Sequence, residues 1–513
     1  MNIDKTTLSK ETIEYINTLE KQVESLEDTV NKLKKIIFGQ KSEKTRYIGE
    51  AGDGQLSLFN EAEQAADSSA PEPTVETVKE HARKQKRTKE EILKDFPREV
   101  KEYDLSDEEK AELAKFGELK KIGSEYVRTE IQIIPAQVKV TEIKKAVYST
   151  ASYRADMPGT EIIKAEVPKA LMEKSMATAS TVAYVMYQKY VNSVPLYRQE
   201  QDWKNQGLDL SRATLANWII KTSRDYLKPV YDEMKKQLLK QTVIHADETV
   251  VQVLREENRK ATDESRMWVY SSGGNDMDNI TLFEYRPTRA GENARNYLKG
   301  FKKYLQTDGY SGYNKVTGVI HCGCLAHARR KWDEALPGSR EMIGSKAKIG
   351  LDYCNDLFKL EREYENLSPE ERKEARLRKS KPIMEAYFAW LKTLNPLAGS
   401  GLQKAVTYSL NQQKTFENIL LDGHIELSNN ACENAIRPFV VGRKNWLFAN
   451  TPKGAEASAV VYSIVETAKA NGLNVFAYLT HLFSVLPSMM RAGNHDLSSV
   501  LPWSEDLPDY CKK

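Results

Sequence analysis

The chain has 513 residues, of which 40% are apolar and 29% charged, with a formal net charge of +3. That balance describes a soluble protein of several domains and excludes a disordered or fibrous chain. The longest apolar stretch, 474–490, is interrupted by Thr480, His481, Ser484 and Pro487. It is too short and too polar to span a bilayer, and no secretory leader is expected from the first residues. The five cysteines (Cys322, Cys324, Cys354, Cys432, Cys511) are odd in number and confined to the C-terminal half. They argue against a disulfide framework and for a reducing cytoplasm.

In chain order, Ile16, Leu19, Val23, Leu26, Val30, Leu33 and Ile37 recur three and four residues apart. β-Branched residues at one heptad position and leucine at the other favour a parallel two-stranded coiled coil, so 1–46 is expected to associate as a homodimer or higher oligomer through 16–37. Acids, Gly, Ser, Ala and Pro then dominate 50–80, as in a solvated linker. The linker segment, 47–95, ends in a basic cluster, Arg83, Lys84, Lys86 and Arg87 with Lys89, able to neutralise several phosphates. From 96 to 155 apolar and polar residues alternate (EYVRTEIQIIPAQVKVTEIKKAVYS), which predicts a small β-rich domain. A helical region, 156–238, follows. Its GLDLSRATLANWI resembles the turn and second helix of a helix-turn-helix, with Gly207 in the turn, Ser211 as cap, and Arg212, Thr214 and Asn217 as candidates for DNA contact.

VIHADETVVQV reads as a strand buried on both faces, and Asp247 in its middle is costly unless a cation compensates its charge. Two more strand-like runs follow, RMWVYSS and NITLFEYR. A short helix then leads to KKYLQTDGYSGYN, a strand ending in Asp308 and a glycine turn, and GVIHCGCLAHARRKW passes from strand to helix. Strand, strand, strand, helix, strand, helix, with acids on the first and fourth strands, matches a ribonuclease-H-like core in which those two strands are adjacent. Its first part spans 239–335 and its second 405–490, around a charged helical insertion at 336–404; 491–513 form a C-terminal tail. The third carboxylate is Glu433, which opens a helix with Asn429 or Asn430 as cap; Asp422 and Glu466 compete with it on spacing alone. Three such carboxylates suit two hard divalent cations. His327, Arg329 and Arg330 after the second acid, and Arg437, Arg443 and Lys444 after the third, are placed to meet DNA phosphate. HCGCLAH, with His321, Cys322, Cys324 and His327, lacks the spacing of a common structural zinc site, and no zinc is expected.

FGQKSEK, QLSLFNEAE, VPLYRQE, GLDLSRATLANWI, HADET, TDGY, AHARRKW and NNACENAIRPFVVGRKNWLF resemble, in order, the landmarks of the insertion-sequence-66 family of DDE (Asp-Asp-Glu) transposases. The resemblance covers most of the chain. It implies that Asp247, Asp308 and Glu433 are a catalytic triad holding two Mg²⁺ ions, for which Mn²⁺ would substitute. It implies cleavage and joining of double-stranded DNA at the element's terminal repeats and a target, alongside small accessory proteins of the same element. The family usually carries a cysteine-rich, zinc-finger-like module near 96–150, and this chain has no cysteine there. A transposase-derived repressor or architectural protein without catalysis, and a resolvase or other nuclease, are the competing readings. The second would not need the coiled coil, linker and separate DNA-reading region.

Overall fold

The computed structural model describes residues 12, 106, 108, 140–151, 160–164, 169–274, 278–336 and 345–513. The heptads at 16–37, the linker and the basic cluster Arg83, Lys84, Lys86 and Arg87 lie outside the described residues. Two compact units divide the chain, Gln40–Val167 and, together, Met1–Gly39 and Pro168–Lys513. In the first, β1 (Val147–Ala151) pairs antiparallel with β2 (Thr160–Lys164). The alternation at 140–146 does not form a strand. Val140 and Ile143 are there 84% and 74% exposed, with no layer covering them to reward extended pairing.

The larger unit opens with helices. α1 (Ala179–Tyr190) is capped by Thr178, α2 (Leu196–Asn205) begins after Pro195, and α3 (Arg212–Thr222) is capped by Ser211, whose Oγ accepts from the Thr214 N–H. Gly207, with φ of +85°, makes the turn between α2 and α3. α3 runs through a π turn (Ser223–Leu227) into α4 (Lys228–Leu238). That turn immediately precedes Pro229, whose missing N–H interrupts the helical ladder. The same sequence of events recurs at Arg376–Ser380 before Pro382.

Five strands then form one sheet: β3 (Val243–Gln252), β4 (Glu264–Ser272), β5 (Thr281–Arg286), β6 (Tyr304–Thr307) and β7 (Ile320–Gly323), in the order β5-β4-β3-β6-β7. The first three are antiparallel neighbours; β6 pairs parallel with β3, and β7 with β6. Parallel pairing needs a crossover, supplied by α5 (Gly291–Tyr297) between β5 and β6. Helix α6 (Leu325–Glu334) leaves β7, and a helical layer follows: α7 (Lys346–Glu363), α8 (Pro369–Ala375), α9 (Lys381–Thr393), α10 (Gly401–Asn411) and α11 (Gln413–Glu417). α7, α9, α10, α11 and α6 share an apolar cluster around Trp332, Leu357, Tyr387, Leu391 and Phe416, which continues across position 404 to Leu427. The chain returns to the sheet as α12 (Asn430–Trp446), α13 (Pro452–Ala470) and α14 (Val475–Arg491).

Each face of the sheet has its own cover. Phe283 of β5 meets Phe439 of α12 and Tyr462 of α13. On the opposite face Tyr270 stacks on Tyr297 of α5 at 4.0 Å, and Trp268 meets Tyr313 edge-on. The outer edge of β5 is closed by side chains of α13: Ser463 Oγ accepts from the Phe283 N–H, while Thr467 Oγ1 accepts from the Thr281 N–H and donates to its carbonyl. These bonds satisfy an edge that would otherwise be open to another strand. Among the described residues no helix is long and apolar enough to cross a membrane.

Gly291 begins α5 in tight contact with the Ser311–Lys315 turn, where an added Cβ would stand 2.1 Å from the Gly312 carbonyl oxygen. Gly291→Ala is therefore expected to cost about 1–3 kcal/mol, read as a lower urea midpoint at unchanged slope. A midpoint equal to wild type would show that this contact relaxes freely.

Candidate active site

Asp247 is the fifth of the ten residues of β3. Register pairs Asp247 with Val269 of β4 and Val269 with Phe283 of β5, so its side chain shares the face that α12 covers. The last parallel pair between β3 and β6 is His245 with Gln306. Two residues further on each strand stand Asp247 and Asp308. Asp308 closes β6 in a local turn, its Oδ1 accepting from the Tyr310 N–H at 2.9 Å, and Gly309 follows with φ of +92°. From the helical layer, Tyr408 of α10 donates to the Asp308 carbonyl at 2.7 Å.

Glu433 is in the first turn of α12. Asn429 holds the cap position, but its side chain makes no cap bond. Its Nδ2 donates to the Ala246 carbonyl (3.0 Å), its Oδ1 pairs with His245 Nδ1 (2.9 Å), and its backbone N–H donates to Cys324 Sγ (3.1 Å). At the other end of the helix, Arg443 Nη1 donates to Thr249 Oγ1 and the Val250 carbonyl, and Ala449 pairs with the end of β3. The helix is thus fastened along β3 at both ends.

Electrostatics ties the three acids together. Burial, followed by the nearby charges of Glu248, Asp308 and Glu433, pushes the Asp247 carboxyl up to about 7, against the Glu248 N–H that donates to it. Glu248, one residue on, faces the opposite side of the sheet, bonded to Tyr313 Oη at 2.7 Å and paired with Arg289. The competitors are engaged elsewhere: Glu466 pairs with Lys469 at 2.8 Å, and Asp422 accepts from the His424 N–H and contacts its ring.

The Glu433 carboxylate turns toward α6, with His327 Nδ1 at 3.8 Å and Arg330 at 3.6 Å. Burial lowers the His327 pKa although Glu433 opposes it. Cys324, His327 and Glu433 bring one donor atom each within 4.8 Å of the others, a metal-capable group among the described residues of which Asp247 and Asp308 are not members. Of the HCGCLAH residues, His321 instead contacts the Val316 carbonyl and Cys322 turns to Ile320. No spacing in the sequence signals Glu433 as a third partner of Cys324 and His327, since it lies more than a hundred residues from both. The remaining candidates are spread widely. Arg330, Arg437 and Lys444 are exposed on α6 and α12, whereas Arg329 reaches Asn355 of α7. Arg212 and Asn217 are exposed on α3, and Thr214 is occupied with the Ser211 cap.

The model of the Transposase IS66 family matches residues 174–457, more than half of the chain and all of this sheet. The chain belongs to the IS66 family of transposases. Two further models match, Transposase C of IS166 homeodomain over 25–100 and the IS66 C-terminal element over 463–503. Among curated proteins, the uncharacterized protein y4jD of Sinorhizobium fredii is 27% identical over 510 residues, covering 95% of this chain and 96% of its own. The uncharacterized protein y4qI of the same organism is 29% identical over 360 residues, covering 67% and 65%. A Drosophila P element transposase strand transfer complex aligns with 61% of this chain and 83% of its own at 14% identity, with a TM-score of 0.23, too low for the folds to be equated.

Asp247 also generates a stability test. Its carboxyl moves from the ordinary value of 3.8 to about 7 on folding. The folded state therefore binds the proton more tightly, and stability is lost as pH rises between those values. Asp247→Asn removes that loss. In EDTA the variant should be more stable than wild type at pH 8, by about 2 kcal/mol after allowing for the partial exposure of the group, with the gap closing toward pH 4. Equal melting temperatures at pH 8 would show that Asp247 carries no such strain.

Proposed function

We propose that this IS66 transposase is a DDE enzyme with a ribonuclease-H-like core, and that Asp247, Asp308 and Glu433 are its catalytic carboxylates. The single observation that carries the reading is placement: Asp247 and Asp308 stand two residues past the last pair of adjoining parallel strands, and Asp247, buried, feels the charges of Glu248, Asp308 and Glu433. The strand order β5-β4-β3-β6-β7 supports the assignment of the core.

Three carboxylates that raise the pKa of one of their number form a donor set with surplus negative charge, which fits hard divalent cations. Asp247, Asp308 and Glu433 would hold two Mg²⁺ ions, with Mn²⁺ as a substitute. When bound, such ions supply activation of a water or 3′-hydroxyl and stabilisation of the leaving oxygen. The chain's own residues position these groups. Asn429 and Arg443 hold α12 on β3, Tyr408 and the Gly309 turn hold Asp308, and Arg330 and His327 steady Glu433.

The substrate is the double-stranded DNA of the element's terminal repeats and of the target. Arg330, which stands 3.6 Å from Glu433, and Arg437 and Lys444, on the same helix as Glu433, are exposed cations that would take phosphates there. Arg212 and Asn217 on α3, with Thr214 in its cap, would read a groove. Arg83, Lys84, Lys86 and Arg87 would add phosphate contacts, residues 16–37 would pair two subunits, and small proteins of the same element would assist.

The test is a strand-cleavage assay on DNA carrying the terminal repeats, comparing wild type with Asp308→Asn in Mg²⁺ and in EDTA. Nicks with 3′-hydroxyls at the repeat boundary are expected from wild type in Mg²⁺, and none from the variant or in EDTA. Equal nicking by Asp308→Asn would remove the triad from the mechanism.

A further inference from the structure

Glu433 is linked to two sets of donors. Its charge, with that of Asp308, acts on Asp247, a set that is all oxygen. Its carboxylate turns to Cys324 and His327, sulfur and nitrogen, with one donor atom of each within 4.8 Å of a Glu433 oxygen and of each other. From this geometry we propose that Cys324, His327 and Glu433 form a site for a borderline-soft transition ion of the Zn²⁺ or Co²⁺ type. Occupation of that site withdraws Glu433 from the other two acids and holds the enzyme inactive.

The donor chemistry argues for this class of ion. Thiolate, imidazole and carboxylate together are a zinc-type set, and three protein ligands leave a fourth position for water. A tetrahedral ion with bonds of about 2.0–2.3 Å spaces its donors roughly 3.3–3.6 Å apart. His327 Nδ1 and Glu433 Oε1 are already 3.8 Å apart. Both atoms are shut off from solvent and make no hydrogen bond, although each belongs to a side chain that is 24% or 29% exposed and so can admit an ion. Two buried polar atoms facing each other just beyond hydrogen-bonding distance are a cost unless something bridges them. Cys324 completes the triangle from the start of α6; burial pushes its thiol up, and the Asn429 N–H that its sulfur accepts opposes this.

Placement is fixed by the fold. Cys324 and His327 are three residues apart on the first turn of α6, which brings them to neighbouring positions of one face. The Leu325 N–H donates to the Leu427 carbonyl, and Asn429 ties the start of α12 to Cys324, so the two helix starts are held together independently of any ion. The expectation that the chain takes no zinc weighed only the four residues of HCGCLAH. The site assigned here uses two of them and a residue more than a hundred positions away.

Binding of the ion does not depend on the transposase reading; its inhibitory consequence does. The full-length protein, purified with EDTA and then freed of it, is titrated with Co²⁺ and its absorption spectrum followed. A thiolate-to-cobalt charge-transfer band saturating at one equivalent is expected. It should vanish in Cys324→Ser, weaken or shift in His327→Gln and Glu433→Gln, and persist in Asp247→Asn. Absence of the band in wild type, or its survival in Cys324→Ser, overturns the site. Should Cys324→Ser not fold, the His327→Gln and Glu433→Gln spectra decide, unchanged bands in both being the overturning result. In the strand-cleavage assay, Zn²⁺ added against excess Mg²⁺ should abolish wild-type nicking, and Cys324→Ser should keep its own zinc-free rate. Equal zinc sensitivity in the two overturns the regulatory half. Failure of the site leaves Mg²⁺-dependent nicking intact, whereas failure of the transposase reading leaves the cobalt band intact.

Discussion

The position of α12 along β3 is the constraint on which the rest of the candidate site depends. Glu433 is remote from Asp247 in sequence, and nothing local brings a helix start to a central strand. Asn429 does so through three bonds at once, to the Ala246 carbonyl, to His245 and to Cys324. Because Asn429 is fully buried, losing these bonds would strand its own buried amide, a penalty larger than the net worth of a bond. Arg443 and the Ala449 bridge repeat the fastening at the far end of the helix. With both ends fixed, the first turn of α12 has one direction in which to present Glu433.

What this fastening assembles is electrostatically unfavourable on its own. Asp247 sits where burial and three neighbouring carboxylates all resist its ionisation. A fold that needed only stability would place an apolar residue there, as it does one position earlier with Ala246. Glu248, equally placed in a half-buried strand, shows the ordinary solution: its carboxylate is paired with Arg289 and bonded to Tyr313. The contrast between adjacent residues of one strand separates an acid made comfortable from an acid left in tension. Tension of that kind is a mark of functional sites rather than of cores.

The five-stranded sheet was legible in the sequence because its strands carry their own signals. HADET and TDGY each set an acid in or after an apolar run, and the 60 residues between Asp247 and Asp308 accommodate two strands and one short helix before β6, which is what the chain contains. Ser211 and Gly207 were likewise readable, since capping and positive φ are local demands met by local residues. Tertiary partners were not readable. The pairing of Asn429 with His245, of Tyr408 with Asp308, and of Glu433 with Cys324 and His327 joins segments far apart in sequence, and no period or spacing encodes such contacts. The alternation at 140–146 misled for the complementary reason: β-propensity expresses packing on a neighbouring layer, and Val140 and Ile143 have none over them.

The helical layer between β7 and α12 contributes more than length. Its apolar cluster includes Val243 at the start of β3 and Cys322 in β7, so the layer packs on the sheet margin beside the acids rather than standing apart from it. Through Tyr408 it bonds the backbone of Asp308, and through Arg376, buried and bonded to the carbonyls of Ile419, Asp422 and Ile425, it fixes the segment that leads into Asn429. Two of the three acids are therefore braced from the same inserted layer, one directly and one through the approach to α12.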